Sequence, residues 1–458
     1  MSNPATVVDV TELVDHSKVG WLQIRVLLFC ALSVFADGFD AQAIGYVAPS
    51  ISKAWALPPG TLGPVFSASL IGLMIGALAV APIADRIGRK RTIIYCSIFF
   101  GVCSILTAVL ATSVSSLLVM RFLTGLGLGG AMPNGIALTS DYSPTRRRAT
   151  LIVIMFSGFS LGAAAGGGIA AQLIPEFGWQ SVFWAGGLLP LALVPLFIFF
   201  LPESLQFLAL KGHRDDRIRA ILRQFDRKLA FPPDVRFLTR NEKVVKFPVT
   251  DLFRAGRALT TVLLWVMFFM NLLDLYLLSN WLPTIINNTG LSVESAVRIA
   301  AQFQVGGTFG TLLVGWLVDR FGPQRVLCVT FVLNAVLIIW LGAGSPSPYL
   351  LGALVFATGF SVVGTQGGLN ATSAKYYPSF IRSTGVGWCL GIGRIGSIVG
   401  PMVGGILMSM HWTTEYIFLA GAVPQACAAL AILILALRSM SAGLDPERAP
   451  EKLADAKS

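Results

Sequence analysis

Charge is scarce in this chain: only 12% of its 458 residues are Asp, Glu, Lys or Arg, against about 25% in soluble domains. There are three histidines (His16, His213, His411), all outside the long apolar runs. No Ser/His/Asp or zinc-ligand spacing accompanies them, so neither a catalytic site nor a metal site is expected. The six cysteines (Cys30, Cys96, Cys103, Cys328, Cys389, Cys427) fall within apolar runs without CxxC spacing, which excludes a disulfide framework. The phosphate-cradling loop of nucleotide-driven machines is missing, so no ATP-powered activity is expected.

Apolar residues are plentiful instead. They make up 55% of the chain and the mean hydropathy is +0.73. A core large enough to hide that much apolar surface from water is implausible, so the solvent is lipid. A spanning helix needs about 20 apolar residues, and twelve stretches qualify. They cover 21–48, 61–84, 93–111, 117–139, 149–173 and 181–201, then 259–286, 295–318, 326–343, 349–371, 383–410 and 416–437. β-barrel alternation is absent, so these are helices, and an all-α integral membrane protein is expected. The expected organisation is a six-helix bundle at 1–201, an inter-bundle loop at 202–257, a second bundle at 258–437 and a tail at 438–458.

The net charge of +11 is not a nucleic-acid footprint, because its distribution follows the loops. The stretch 203–257 holds 13 Lys/Arg against 7 Asp/Glu, while Lys53 is the clearest cation of the alternate loops. Basic loops stay on the cytoplasmic side. Both termini and the central loop are therefore expected inside, in a bacterial inner membrane, on a monomer with the bilayer as partner. The first apolar run is too long for a secretory signal and lacks a basic leader, so it reads as a span.

A shift of 234 positions lays the chain on itself without a gap. Asp85, Arg86 and Gly88 fall on Asp319, Arg320 and Gly322; Tyr142, Pro144 and Arg148 fall on Tyr376, Pro378 and Arg382. Gly72, Gly76, Thr124, Gly125, Pro49 and Pro190 match Gly306, Gly310, Thr358, Gly359, Pro283 and Pro424. A parallel repeat of six helices is the architecture in which two bundles rock about a midplane site. The repeat also sorts residues. Gating parts belong in both halves, whereas groups for one asymmetric ligand break the symmetry.

These residues resemble the major facilitator superfamily along nearly the whole chain. Ala81-Pro82-Ile83-Ala84-Asp85-Arg86-Ile87-Gly88-Arg89-Lys90-Arg91 is similar to its signature between the second and third helices, with Ala81 where Gly is usual. Asp37-Gly38-Phe39-Asp40, Arg121 through Gly129, and Gly391-Ile392-Gly393-Arg394 resemble the aromatic acid:proton symporters, the 4-hydroxybenzoate transporters among them. The resemblance implies symport of a small aromatic carboxylate, with the proton as coupling ion and no other cofactor. The fifth span lacks the Gly-Pro signature of proton–drug antiporters, which also favours symport.

Asp37 and Asp40 stand three residues apart on one helical face. Burial and a neighbouring carboxylate both favour the neutral acid, which makes the pair a candidate proton site; a packing or capping pair is the plainer alternative. Asp40 has a repeat mate, Asp274, whereas Asp37 falls on Asn271, so Asp37 is the more asymmetric. Arg121 and Arg394 fall on Val355 and Ser160. A guanidinium grips a carboxylate at two points, which favours substrate binding at Arg394, while Arg121 serves either substrate or the nearby aspartates. Phe156, Phe159, Tyr276, Trp281 and Trp388 are candidate pocket walls. Asn271, Asp274, Gln302, Gln304, Gln366 and Asn370 are candidate polar contacts.

The charges at cytoplasmic helix ends occur in both halves. Asp85, Arg86, Gly88, Arg89, Asp141 and Arg148, with Asp319, Arg320 and Arg382, are read as gating clasps. The expected pairs are Asp85 with Arg89, Asp141 with Arg148 and Asp319 with Arg382. Two other readings remain open: a symporter of a polar organic acid such as a sugar acid, and a non-transporting membrane sensor.

Overall fold

The computed structural model describes residues 7–17, 19–211, 215–225, 235–238, 249–254, 256–344, 347–377 and 381–441. Pro378 and the tail beyond Ser441 lie outside them. Eleven described helices are long and apolar enough to cross a membrane. In the first half these are α2 (Trp21–Ala54), α3 (Gly63–Ile87), α4 (Arg89–Leu110), α5 (Val114–Asp141), α6 (Thr145–Phe177) and α7 (Gln180–Phe200). The second half has α10 (Ala258–Asn288), α12 (Pro323–Gly342), α13 (Pro348–Tyr376), α14 (Arg382–Ser409) and α15 (Thr414–Ser441). Between them, α11 (Val293–Phe321) has the length of a span at 29 residues; Gln302, Gln304 and its glycines dilute its hydropathy. Twelve spans result, because a backbone in lipid must satisfy its polar groups internally. Many run several residues past the apolar windows, and Pro49 and Pro283 sit inside α2 and α10 rather than ending them.

The chain forms two compact units, residues 1–43 with 68–244 and residues 44–67 with 245–458. Within each unit, glycines let helix backbones touch, and the same contacts recur one repeat later. A Cβ on Gly72 or Gly76 would strike the carbonyls of Phe122 and Leu126; on Gly306 or Gly310 it would strike those of Phe356 and Phe360. Likewise Gly162 lies on the Phe35 carbonyl and Gly396 on that of Phe269. The tight turns between α3 and α4 and between α11 and α12 are also repeated, at Gly88 (φ 102°) and Gly322 (φ 85°). Only glycine enters that backbone region without strain.

The all-helical expectation needs one amendment among the described residues. Strand β1 (Val7–Asp9) pairs in parallel with β2 (Arg236–Leu238) of the central loop. Around this pair stand α1 (Val10–His16), α8 (Leu205–Lys211) and α9 (Asp215–Phe225). Val10, Val14, Leu205, Phe207, Leu208, Ile218, Leu222 and Phe237 share one apolar cluster with Leu22, Val26, Ile93 and Phe197 of the membrane helices. The described helices α8 and α9 and strand β2 of the inter-bundle loop are thus part of unit 1.

Candidate functional site

In unit 1 the chemistry gathers where α2, α4, α5 and α7 meet. Arg121 on α5 donates from Nη1 to Asp40 Oδ2 at 2.9 Å and from Nη2 to the Asp40 carbonyl at 3.0 Å. Ser104 on α4 donates to Asp40 Oδ1 at 2.8 Å, and the guanidinium lies 5.6 Å from the Phe183 ring centre. Both side chains are 0% exposed. Asp40 and Arg121 therefore form a closed, nearly saturated ion pair, the geometry in which a buried charge pair is tolerated. Asp37, one helical turn earlier, is also buried. Neither of its oxygens has a hydrogen-bond partner among the described residues. Beside it, Gly38 presses on the backbone carbonyl of Phe159, whose half-buried side chain joins the apolar cluster of unit 1.

The structure thus separates two aspartates that the sequence presents as a pair. Asp40 is held by Arg121 across 81 residues of chain, and Asp37 is left over.

In unit 2, α10 carries most of the polar candidates. Asn271 donates to Gln366 on α13 at 2.9 Å, and Gln366 donates to Asn370 at 3.2 Å, an amide ladder along one side of the helix pair. Arg394 on α14 is partly buried. It makes no ion pair among the described residues, and it donates from Nη1 to the Tyr276 hydroxyl at 3.5 Å. Trp388, 40% exposed, stacks on Trp265 at 5.7 Å. Gln304 donates to Ser279 in a buried contact.

Trp281 proves to be a packing residue: it is 2% exposed, with its indole N–H on the Pro401 carbonyl at 2.8 Å. Asp274 is fully buried and joined to Gln425 and Asn334. Sequence reasoning missed Ser104, Gln425 and Asn334. The latter two break the repeat, falling on Leu191 and Phe100, and that contrast was the available signal.

The charges at the helix ends pair differently from expectation. Arg89 meets Asp141 at 3.9 Å, not Asp85, and Asp141 also accepts from the Ser204 hydroxyl. Asp85 is exposed; with Arg89, Pro133 and Asn134 it lines a cavity of about 170 Å³ in unit 1. Arg148 meets Asp15 of α1 at 3.6 Å rather than Asp141. Asp319 meets Lys375 at 3.1 Å rather than Arg382. Lys375 stands at the repeat position of Asp141, so that site has reversed its charge between halves. What does repeat is the hold on the preceding turn: Arg148 donates to the Ser143 carbonyl at 3.4 Å and Arg382 to the Tyr377 carbonyl at 3.4 Å, one repeat apart. Arg86 is exposed, and Arg320 lies over Trp316 and Phe321 at 5.1 and 5.6 Å.

Asp15 lies outside the spans. Partial burial opposes its ionised form, but hydrogen bonds from the Thr145 hydroxyl and amide, and the charge of Arg148, outweigh it. The carboxyl is held below its ordinary range.

The chain matches the family model of the Major Facilitator Superfamily over residues 30–301 and 264–458. It is 42% identical to the gallate transporter of Pseudomonas putida over 93% of this chain and 94% of that protein. To the 4-hydroxybenzoate transporter PcaK of Pseudomonas aeruginosa it is 40% identical, over 94% of this chain and 96% of the relative. Among solved structures, it resembles the xylose transporter XylE of E. coli in a partially occluded inward-open conformation. The TM-score is 0.70 at 14% identity, over 90% of this chain and 97% of that one. At that identity the likeness shows the fold alone. With two glycine-welded six-helix repeats and buried intramembrane charges in both, the chain is a membrane transporter, not an enzyme, and belongs to the Major Facilitator Superfamily.

Proposed function

We propose that this transporter is a proton-coupled symporter that takes up a hydroxylated aromatic monocarboxylate across a bacterial inner membrane, with both termini in the cytoplasm. The carrying observation is Arg394: a cation within an intramembrane helix, without a carboxylate partner among the described residues, placed beside a tyrosine hydroxyl. Such a group calls for an anion, since an unpaired intramembrane charge is costly. The relatives named for gallate and 4-hydroxybenzoate transport supply the chemical class. Asn271, Gln366 and Asn370 add amides suited to a ring hydroxyl, and Tyr276 and Trp388 add aromatic faces for the ring, each worth about 0.5–1.5 kcal/mol. Asp37, buried and without a hydrogen-bond partner among the described residues, is the proton carrier. It is not committed to Arg121, which is held by Asp40. The basic loops support the orientation.

The test is uptake into proteoliposomes under an imposed acid-outside gradient. Radiolabelled gallate, 4-hydroxybenzoate, benzoate and a sugar acid are compared side by side. Concentrative uptake of a hydroxybenzoate, abolished by a protonophore, is expected. Accumulation of the sugar acid alone, or uptake indifferent to the gradient, would sink the reading.

A further inference from the structure

Asp274 stands in α10 at the position that Asp40 occupies one repeat earlier. Both carboxyls are 0% exposed. Around Asp40 the protein has placed the cation Arg121 and the hydroxyl of Ser104. The matching positions in the second half are Val355 and Ile338, and neither side chain has a polar atom. The carboxyl was kept, and its neutralising partner was not.

Neutral amides stand in its place. Gln425 on α15 donates from Nε2 to Asp274 Oδ2 at 2.8 Å. The other end of that amide accepts from Asn334 on α12 at 2.9 Å. Asn334 also reaches the Thr365 hydroxyl at 3.3 Å, and Thr365 donates to the Ser361 carbonyl at 2.7 Å on α13. This chain sets the amide orientations from its far end: the Thr365 proton goes to Ser361, so Thr365 accepts from Asn334 Nδ2, the same amino group meets Gln425 Oε1, and Gln425 Nε2 is left to face the carboxyl. The carboxyl thus accepts one hydrogen bond from an uncharged donor. Its Oδ1 has no partner among the described residues and lies over Gly421, where a Cβ would sit 3.2 Å away.

No ion pair among the described residues includes Asp274. It is the one charged residue of α10. The charged residues of α12, α13 and α15 (Arg325, Lys375, Glu415 and Arg438) lie in their first or last turns. Arg325 is nine residues from Asn334, roughly 13 Å along the helix. On α11, Glu294, Arg298, Asp319 and Arg320 are likewise near the ends, and Arg394 of α14 goes to the Tyr276 hydroxyl. The groups seen against the carboxyl are Gln425 and Gly421, with Asn334 behind the first and Ile338 beside the second, all uncharged. An isolated carboxylate in such surroundings gives up its charge rather than carry the full desolvation penalty.

We infer that Asp274 is a proton-binding site of unit 2, distinct from the carboxyls of α2, with the Gln425–Asn334 amide chain as its receptor. The same backbone position then meets the same problem, an acid in lipid, in two ways: an arginine in one half and a proton in the other. The assignment stands on unit 2 alone and does not depend on the substrate reading.

The experiment is infrared spectroscopy of the purified full-length protein in lipid, without substrate, at neutral pH. The carboxylic-acid C=O stretch is separate from the carboxylate bands. Asp274→Asn should remove one component of that stretch while the melting temperature stays near that of wild type, since Asn matches the neutral acid in shape. Gln425→Leu keeps the acid but removes its hydrogen bond, so the same component should move to higher frequency. The second variant decides the matter if the first fails to fold. A carboxylic-acid region that neither variant changes, with Asp274→Asn removing carboxylate intensity instead, would overturn the assignment.

Discussion

Asp37 and Arg394 are two intramembrane ionisable residues that make no ion pair among the described residues. If Asp37 carries the coupling proton, Asn at that position imitates the loaded form permanently. Asp37→Asn should then lose accumulation driven by an acid-outside gradient, because net transport needs proton release. Exchange of external for internal substrate should survive, because it needs no release. Undiminished concentrative uptake by the variant would remove Asp37 from the coupling role. Arg394 admits a sharper discrimination. Arg394→Lys should not restore binding, since an ammonium cannot reproduce a planar two-point grip. The loss should be about 1.5–3 kcal/mol, roughly ten- to hundredfold in affinity. An amide analogue of the substrate should bind wild type weakly and bind Arg394→Ala equally weakly. If titration calorimetry shows equal losses for acid and amide, Arg394 is a structural residue instead.

At the scale of elements, the spans were legible because lipid leaves the backbone one local solution, and a run such as 181–201 has no alternative as a strand. The partners of intramembrane charges were only partly so. Arg121 reads as a cation either for substrate or for the aspartates of α2, and the structure shows it on Asp40; which aspartate it holds was not readable, because spacing groups Asp40 with Asp37. Repeat-breaking polar residues were the readable clue, used for Arg121 and Arg394 but not for Gln425 and Asn334. The small structured cap was invisible for another reason: α1 has 7 residues and β1 has 3, too short for periodicity to register. Its attachment is testable through Asp15, whose carboxyl is held below the ordinary aspartate value of 3.8. Stability from such a depressed group is fully present above that value and is lost as pH falls through the lower native one. Hydrogen exchange of α1, taken relative to the intrinsic rate at each pH, should therefore be slow at neutral pH and quicken below about pH 4, while the other helix ends stay protected. In Asp15→Asn it should be fast throughout. An α1 that stays protected in the variant would mean that Val10 and Val14 hold the cap without the ion pair.

For the molecule as a whole, the two halves share their mechanical parts and divide their charges. The glycine contacts of α2 on α6 and of α3 on α5 recur in α10 on α14 and α11 on α13, so both bundles have the same close helix pairs. Several intramembrane polar groups do not recur: Asp37, Arg121 and Ser104 stand in one unit and Arg394, Gln425 and Asn334 in the other, although Asp40 recurs as Asp274. That division has an energetic consequence for uptake. An anion entering a negative-inside cell is opposed by about 2.3 kcal/mol per 100 mV. One proton carried inward on Asp37 with a monocarboxylate cancels the moving charge, because Asp40 and Arg121 are already neutral as a pair. Uptake should then respond to the pH gradient and ignore the membrane potential. In proteoliposomes with a fixed acid-outside gradient, a potassium diffusion potential of either sign should leave the initial rate unchanged. A rate that rises with an inside-negative potential would mean more than one proton per substrate, with a second carboxyl, Asp274 foremost, releasing its proton in the cycle. A rate that falls would mean that the anion crosses without a proton, and Asp37 would lose its role.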